Sequence, residues 1–155
     1  MSIFYATKYF IDMVQRVNVM EMKLAGCIIR DKDNRILLLH RNMPERQQWE
    51  IPGGKIQDQE QPEEAAIREA KEELDIDVSI VKKLGEKAFT QDKRSMYYTW
   101  YLAHITLGEV RIAEPEMFDD ARYFSLAEMR QRFTDLSPNA QNFLLAFEAR
   151  QVSLG

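Results

Sequence analysis

Apolar and polar positions follow two rhythms along the chain. Residues 23–30 (KLAGCIIR) and 35–41 (RILLLHR) are apolar runs on either side of Asp31-Lys32-Asp33-Asn34. They predict two strands paired across that turn, buried on both faces because apolar residues fill both alternating sets. Asn42 to Gln48 reads as a polar loop around Pro44, and Trp49-Glu50-Ile51-Pro52 leads into Gly53-Gly54. The period then changes. From Pro62, which suits a first helical position, Ala66, Ile67, Ala70 and Leu74 fall on one helical stripe, with Glu63 and Glu64 in the first turn. Residues 78–90 return to strand character, with Gly85 a candidate bulge. Gln91 to Arg94 is a turn, and residues 95–107 (SMYYTWYLAHITL) predict a central strand. Gly108 to Asp120 is an acidic loop containing Pro115, followed by a short strand over 121–124. Ser125 with Glu128 forms a capping box for a helix over 126–133. Ser137 and Pro138 open a last helix that runs to about Gln151. Ahead of these elements, Phe10, Met13, Val14 and Val17 stand at helical spacing. They predict a short amphipathic helix in an extension, residues 1–22, that packs on its own domain or on a second subunit. This order of elements defines an α/β protein and nothing finer.

Composition narrows the class. A chain of 155 residues, 45% hydrophobic and 30% charged, is long enough for one globular domain with a real core. Its net charge of −4 gives no basic footprint for nucleic acid, so a polyphosphate ligand has to be met by local cations. The lone Cys27 excludes an intrachain disulfide and reads as a core residue. No apolar run approaches membrane-spanning length, and the N-terminus lacks a signal-peptide pattern. The expectation is a cytoplasmic protein with no membrane partner.

Candidate chemistry concentrates on the helix from Pro62. Glu69, Glu72 and Glu73 are spaced i, i+3, i+4 and share a face. Each like-charge pair costs about 0.2–0.5 kcal/mol, and the dipole disfavours anions near the helix C-terminus. The three carboxylates lie at the rim of the apolar stripe and call for a cation; hard oxygen ligands of this kind suit Mg²⁺. The alternative is a solvated acidic face with Arg68 paired to Glu72. Gly53 and Gly54 admit a ligand close to the backbone, or form a plain tight turn. Arg41 carries a fork suited to phosphate or to a surface ion pair, and His40 beside it reads as structural. Tyr97, Tyr98, Trp100 and Tyr101 are core residues for the most part, with at most one against a base.

Gly54, Glu60, Arg68, Glu69, Ala70, Glu72, Glu73 and Ile76 also carry a family signature. The stretch resembles the Nudix box: glycine, five residues, Glu, seven residues, Arg-Glu, an aliphatic, any residue, Glu-Glu, any residue, glycine, an aliphatic. Asp75 replaces the last glycine, at a helix end that wants a left-handed residue, a conformation Asp tolerates better than most. The resemblance implies the Nudix fold for residues 23–155, an α/β/α sandwich with a mixed β-sheet between helices. It implies hydrolysis of a pyrophosphate bond in a nucleoside diphosphate derivative, with Mg²⁺ (Mn²⁺ as a substitute) held by Glu69, Glu72, Glu73 and the Gly53 carbonyl. By the same resemblance Arg68 orients a carboxylate, and Glu60 joins through a water or the metal. Glu69 is the first candidate for the base. Glu114 or Glu116, on the acidic loop, is an additional metal ligand or an alternative base, or else part of a solvated loop.

Over about residues 23–147 the chain looks closest to the MutT branch. That branch hydrolyses nucleoside triphosphates, oxidised guanine nucleotides such as 8-oxo-dGTP included, to monophosphate and pyrophosphate. Ile51-Pro52-Gly53-Gly54-Lys55-Ile56 matches the branch, and residues 77–113 lack the proline that ADP-ribose hydrolases tend to carry there. Ser137-Pro138-Asn139 falls where the branch places an asparagine that reads the purine edge. Arg41 aligns with a phosphate- or base-contacting Arg, and Arg94 is a further substrate-binding candidate. The implied partner is a small nucleotide, with the chain a monomer or homodimer. Two alternatives stay open: hydrolysis of ADP-ribose, a nucleotide sugar or a dinucleoside polyphosphate, and a non-catalytic nucleotide-binding module. The presence of both Glu72 and Glu73 speaks against the module.

Overall fold

Seven strands form two sheets. β1 (Met22–Ile29), β4 (Gly53–Lys55), β5 (Asp77–Gln91) and β6 (Arg94–Leu107) make a four-stranded sheet in the order β4-β1-β6-β5. β2 (Ile36–Met43), β3 (Arg46–Glu50) and β7 (Phe118–Phe124) make a three-stranded sheet in the order β3-β2-β7. β1 and β6 run parallel and the other pairs antiparallel, so the larger sheet is mixed. This computed structural model describes residues 21–155. The helix expected around Phe10 to Val17 lies outside the described residues.

The alternation along β1 and β2 builds two cores. Ala25, Cys27, Ile29, Leu37 and Leu39 pack with Ala65, Ala66, Ala70 and Leu74 of α1 (Pro62–Leu74). Ile28, Ile36 and Leu38 point the other way and join Met129 of α2 (Leu126–Gln131) and Ala140, Phe143 and Leu144 of α3 (Pro138–Glu148). Strands therefore lie between α1 on one side and α2 and α3 on the other, the α/β/α arrangement expected.

Local signals acted where expected. Pro62 opens α1 behind a capping box of Gln61 and Glu64, and Asp75 closes it in the left-handed region (φ 53°, ψ 37°). Asp75 also accepts from Arg111 Nε at 2.8 Å, a contact glycine would lack. Ser125 and Ser137 cap α2 and α3. α2 ends earlier than predicted because a 3₁₀ turn, Phe133–Asp135, takes over. β6 is central, between β1 and β5, and the register slips between Lys83 and Gly85, the bulge anticipated at that glycine.

The predicted pairing of residues 23–30 with 35–41 is overturned. β1 and β2 fall in different sheets, joined there by one isolated bridge between Arg30 and Ile36. Each has both edges taken by other strands: β1 by β4 and β6, β2 by β3 and β7. Part of the loop expected over 42–48 is also strand. β2 extends to Met43, and β3 returns along it with Trp49 opposite His40 and Gln48 opposite Arg41. Among the described residues no helix is long and apolar enough to cross a membrane.

Candidate active site

The Gly53–Gly54 turn joins the glutamates of α1 to an open cleft. β4 lies antiparallel to β1, with Gly53 opposite Gly26 and Gly54 opposite Ala25. A Cβ at Gly54 would stand 2.5 Å from Glu69 Oε1, so the missing side chain is what lets that carboxylate reach the turn. The Gly53 N–H donates to Glu73 Oε1 at 2.8 Å. Glu73 is 4% exposed, and burial, then the Glu69 charge, push its pKa well above the usual carboxylate range. Burial also raises Glu69, against the opposing pull of Arg68.

Arg68 ties the remaining carboxylates together. Its Nε and Nη2 hold Glu60 bidentately at 2.7 and 3.0 Å, and that ion pair lowers the Glu60 pKa. Nη1 donates to Glu69 at 2.9 Å and to Glu72 at 3.1 Å, and Nη2 also reaches the Lys55 carbonyl at 2.9 Å. The three box glutamates share a helix face but diverge: Glu73 inward, Glu69 to the glycine turn, Glu72 outward to Arg68. Among the described residues no three His, Cys or carboxylate side chains converge as a ready-made ion cage. The donor set still suits a hard divalent cation. All donors are oxygens, and two poorly solvated carboxylates repel each other beside a glycine backbone. Glu60, with both oxygens on Arg68 and one also on the Gln57 N–H at 2.8 Å, serves as an anchor for Arg68.

A cleft of about 450 Å³ opens on the other side of the turn, with Leu24, Phe89 and Met96 among its apolar walls and Arg41, Glu50 and Asn139 among its polar ones. The Arg41 fork is spent on Glu50, Nε at 2.7 Å and Nη2 at 3.0 Å, with its Cζ 4.7 Å above the Phe118 ring. Nη1 lies 3.7 Å from the sulfurs of Met43 and Met117, which are weak acceptors, and Nη2 keeps a second N–H beyond the one given to Glu50. Arg41 is thus held in a partly buried ion pair, not a surface one, at a position that lines the cleft. Glu50 was not anticipated. Its signal was the register of β3 against β2, visible only once residues 46–50 are recognised as a strand.

Asn139 is buried, lines the cleft, and accepts from Trp100 Nε1 at 2.8 Å. Arg94 is exposed at the lip of the cleft. Of the four aromatics of the central strand, Tyr98 lines the cleft. Its hydroxyl is the one sealed side-chain polar atom without a partner among the described residues. On the loop before β7, Glu114 is half-buried, and burial, then the Glu69 charge, raise its pKa; Glu116 is exposed. The loop docks on the end of α1 through Ala113 N–H to the Glu73 carbonyl at 3.0 Å, which puts Glu114, more than Glu116, within the influence of the box.

Residues 20–147 match the NUDIX domain family, and the chain belongs to it. It is a Nudix hydrolase acting on phosphoric anhydride bonds, in a family that generally uses a divalent metal. An 8-oxo-dGTP diphosphatase of Proteus vulgaris is 33% identical over 84 residues, 53% of this chain and 75% of that protein. A low-salt glycan biosynthesis protein, Agl8, of Haloferax volcanii is 30% identical over 124 residues, 78% of each. The crystal structure of a MutT NUDIX hydrolase from Burkholderia pseudomallei superposes with a TM-score of 0.71 at 30% identity, covering 81% of this chain and 96% of that one.

Proposed function

We propose that the chain hydrolyses a purine nucleoside triphosphate to the monophosphate and pyrophosphate. The observation that carries this reading is the shared Gly53–Gly54 turn: one side receives Glu69 and Glu73, the other opens on a cleft with apolar walls and one buried amide, Asn139. Such a cleft suits a base, and the turn then lies where its phosphates would extend. The likeness to the Proteus diphosphatase supports a triphosphate, with 8-oxo-dGTP among the candidates.

Glu69, Glu72, Glu73 and the Gly53 carbonyl would hold Mg²⁺ or Mn²⁺. When bound, such an ion neutralises phosphate oxygens and polarises the scissile anhydride. Glu69, held against the glycine turn, takes a proton from the attacking water. Oxygen from that water bonds to phosphorus as the bond to the bridging oxygen breaks, and the bridging oxygen leaves with the other product. Arg68 holds Glu69 in place from its anchor on Glu60. Arg41 offers its remaining guanidinium N–H groups to the ligand, and Glu114 assists as a ligand or a base.

A second reading, another diphosphate-linked nucleotide, is favoured by the longer likeness to the Haloferax glycan-biosynthesis protein, 78% of this chain against 53%. Product analysis on a panel of triphosphates, ADP-ribose, nucleotide sugars and dinucleoside polyphosphates separates the two. Pyrophosphate released from a triphosphate supports the first reading. Turnover confined to the diphosphate-linked compounds replaces it with the second.

A further inference from the structure

Trp100 is 1% exposed, and its ring stands edge-on to Phe143 with centroids 5.6 Å apart. An indole N–H is a donor with no acceptor capacity. It donates to Asn139 Oδ1 at 2.8 Å. Flipping that amide would set N–H₂ against N–H and leave a buried donor unsatisfied, which is costly in a packed interior. The held ring thus fixes which end of Asn139 faces the core. The N–H₂ group has no protein partner among the described residues, yet it is absent from the sealed, unpartnered atoms there, of which Tyr98 Oη is the sole case. With Oδ1 engaged by Trp100, the N–H₂ is the polar end of Asn139 left for the cleft that this residue lines.

We propose that Trp100 is a specificity-determining residue: it locks Asn139 so that the cleft meets N–H donors, selecting a 6-oxopurine, whose edge offers a carbonyl acceptor, over a 6-aminopurine, whose edge presents an amine. The inference rests on the cleft being the base site. Trp100 touches no base itself and acts through Asn139 as a positioning residue. The reverse amide orientation would select the reverse set of bases.

The test uses the whole chain and two readouts. One is kcat/KM for dGTP, dITP and dATP; the other is calorimetric binding of dGMP, dIMP and dAMP, which needs no catalysis. The wild type should favour the two oxopurines over adenine by about tenfold or more, the scale of one hydrogen bond gained against one donor opposed. Trp100→Phe frees the amide and should bring the ratio to within about threefold of unity. Because that change cuts into the core, Asn139→Asp is the companion variant. Its carboxylate still accepts from Trp100, and an anion at the second position of α3 is favoured by the helix dipole. It offers the cleft acceptors only and should turn the preference towards adenine. A wild type without base preference, or an Asn139→Asp variant that keeps the oxopurine preference, overturns the lock and leaves the hydrolase reading intact. If no purine nucleotide binds and no triphosphate is turned over, the base-site reading fails and the lock falls with it.

Discussion

Replacing Tyr98 with Phe should stabilise the protein. Tyr98 is 4% exposed, and its hydroxyl has no partner among the described residues. That oxygen is wedged against the Gly26–Gly53 pair: a Cβ on either glycine would stand 2.2 or 2.1 Å from it. A buried polar group left unsatisfied costs about 1–3 kcal/mol. Removing one oxygen opens a void on the order of 10–15 Å³, which costs only about 0.3 kcal/mol. The net gain is about 1–2 kcal/mol, and for a domain of this size each kcal/mol moves Tm by about 2–4 °C. Tyr98→Phe should therefore raise Tm by about 2–8 °C and raise the urea midpoint at constant slope. Calorimetry or circular dichroism without ligand provides the assay. A variant that melts at or below the wild-type temperature would show that the hydroxyl is satisfied in solution, and the reasoning would fail.

Two further predictions concern the same strands. Gly54→Ala places a Cβ where Glu69 Oε1 now sits, so the carboxylate must shift; turnover should fall by about 10²-fold with Tm nearly unchanged, and an unaltered kcat would remove Glu69 from the chemistry. Burial pushes the Cys27 thiol from 9.0 to about 12. The folded chain keeps the thiol neutral while the unfolded chain ionises above pH 9, so the stability is intact below pH 9 and drains away as pH rises towards 12. At about 1.4 kcal/mol per pH unit the loss reaches about 4 kcal/mol. Urea melts at pH 8 and 10.5 should show a shallower alkaline loss in Cys27→Ala, and equal losses in both proteins would refute the assignment.

What was legible in the sequence was local. Pro62, Glu64 and the stripe from Ala66 to Leu74 specify α1, and Ser125 and Ser137 mark their helices, because caps and periodicity act within a few residues. Pairing was not legible. A short turn between two apolar runs reads as a hairpin, but edge partners come from distant residues, and β1 took β4 and β6 instead. β3 was hidden because Arg46-Gln47-Gln48-Trp49-Glu50 is a polar edge strand, whose half-exposed surface needs little apolar residue. Within the site, helical spacing placed Glu69, Glu72 and Glu73 on one face. Rotamers and the Arg68 fork then decided that they diverge. The Arg41–Glu50 pair and the Trp100–Asn139 bond link residues that only the completed sheets bring together.

The α1 glutamates are assigned to metal-dependent cleavage of a triphosphate bound in the adjoining cleft. Pyrophosphate release from purine nucleoside triphosphates, with Mg²⁺ and with excess chelator, for wild type and Glu73→Gln, tests that assignment most directly. Glutamine keeps an oxygen for the Gly53 N–H, so the fold should hold. Pyrophosphate should come from the wild type only with the metal, and the variant should lose about 10²–10³-fold, the scale seen when one transition-state stabilising group is removed. Equal turnover in Glu73→Gln, or undiminished release in chelator, would contradict the assignment.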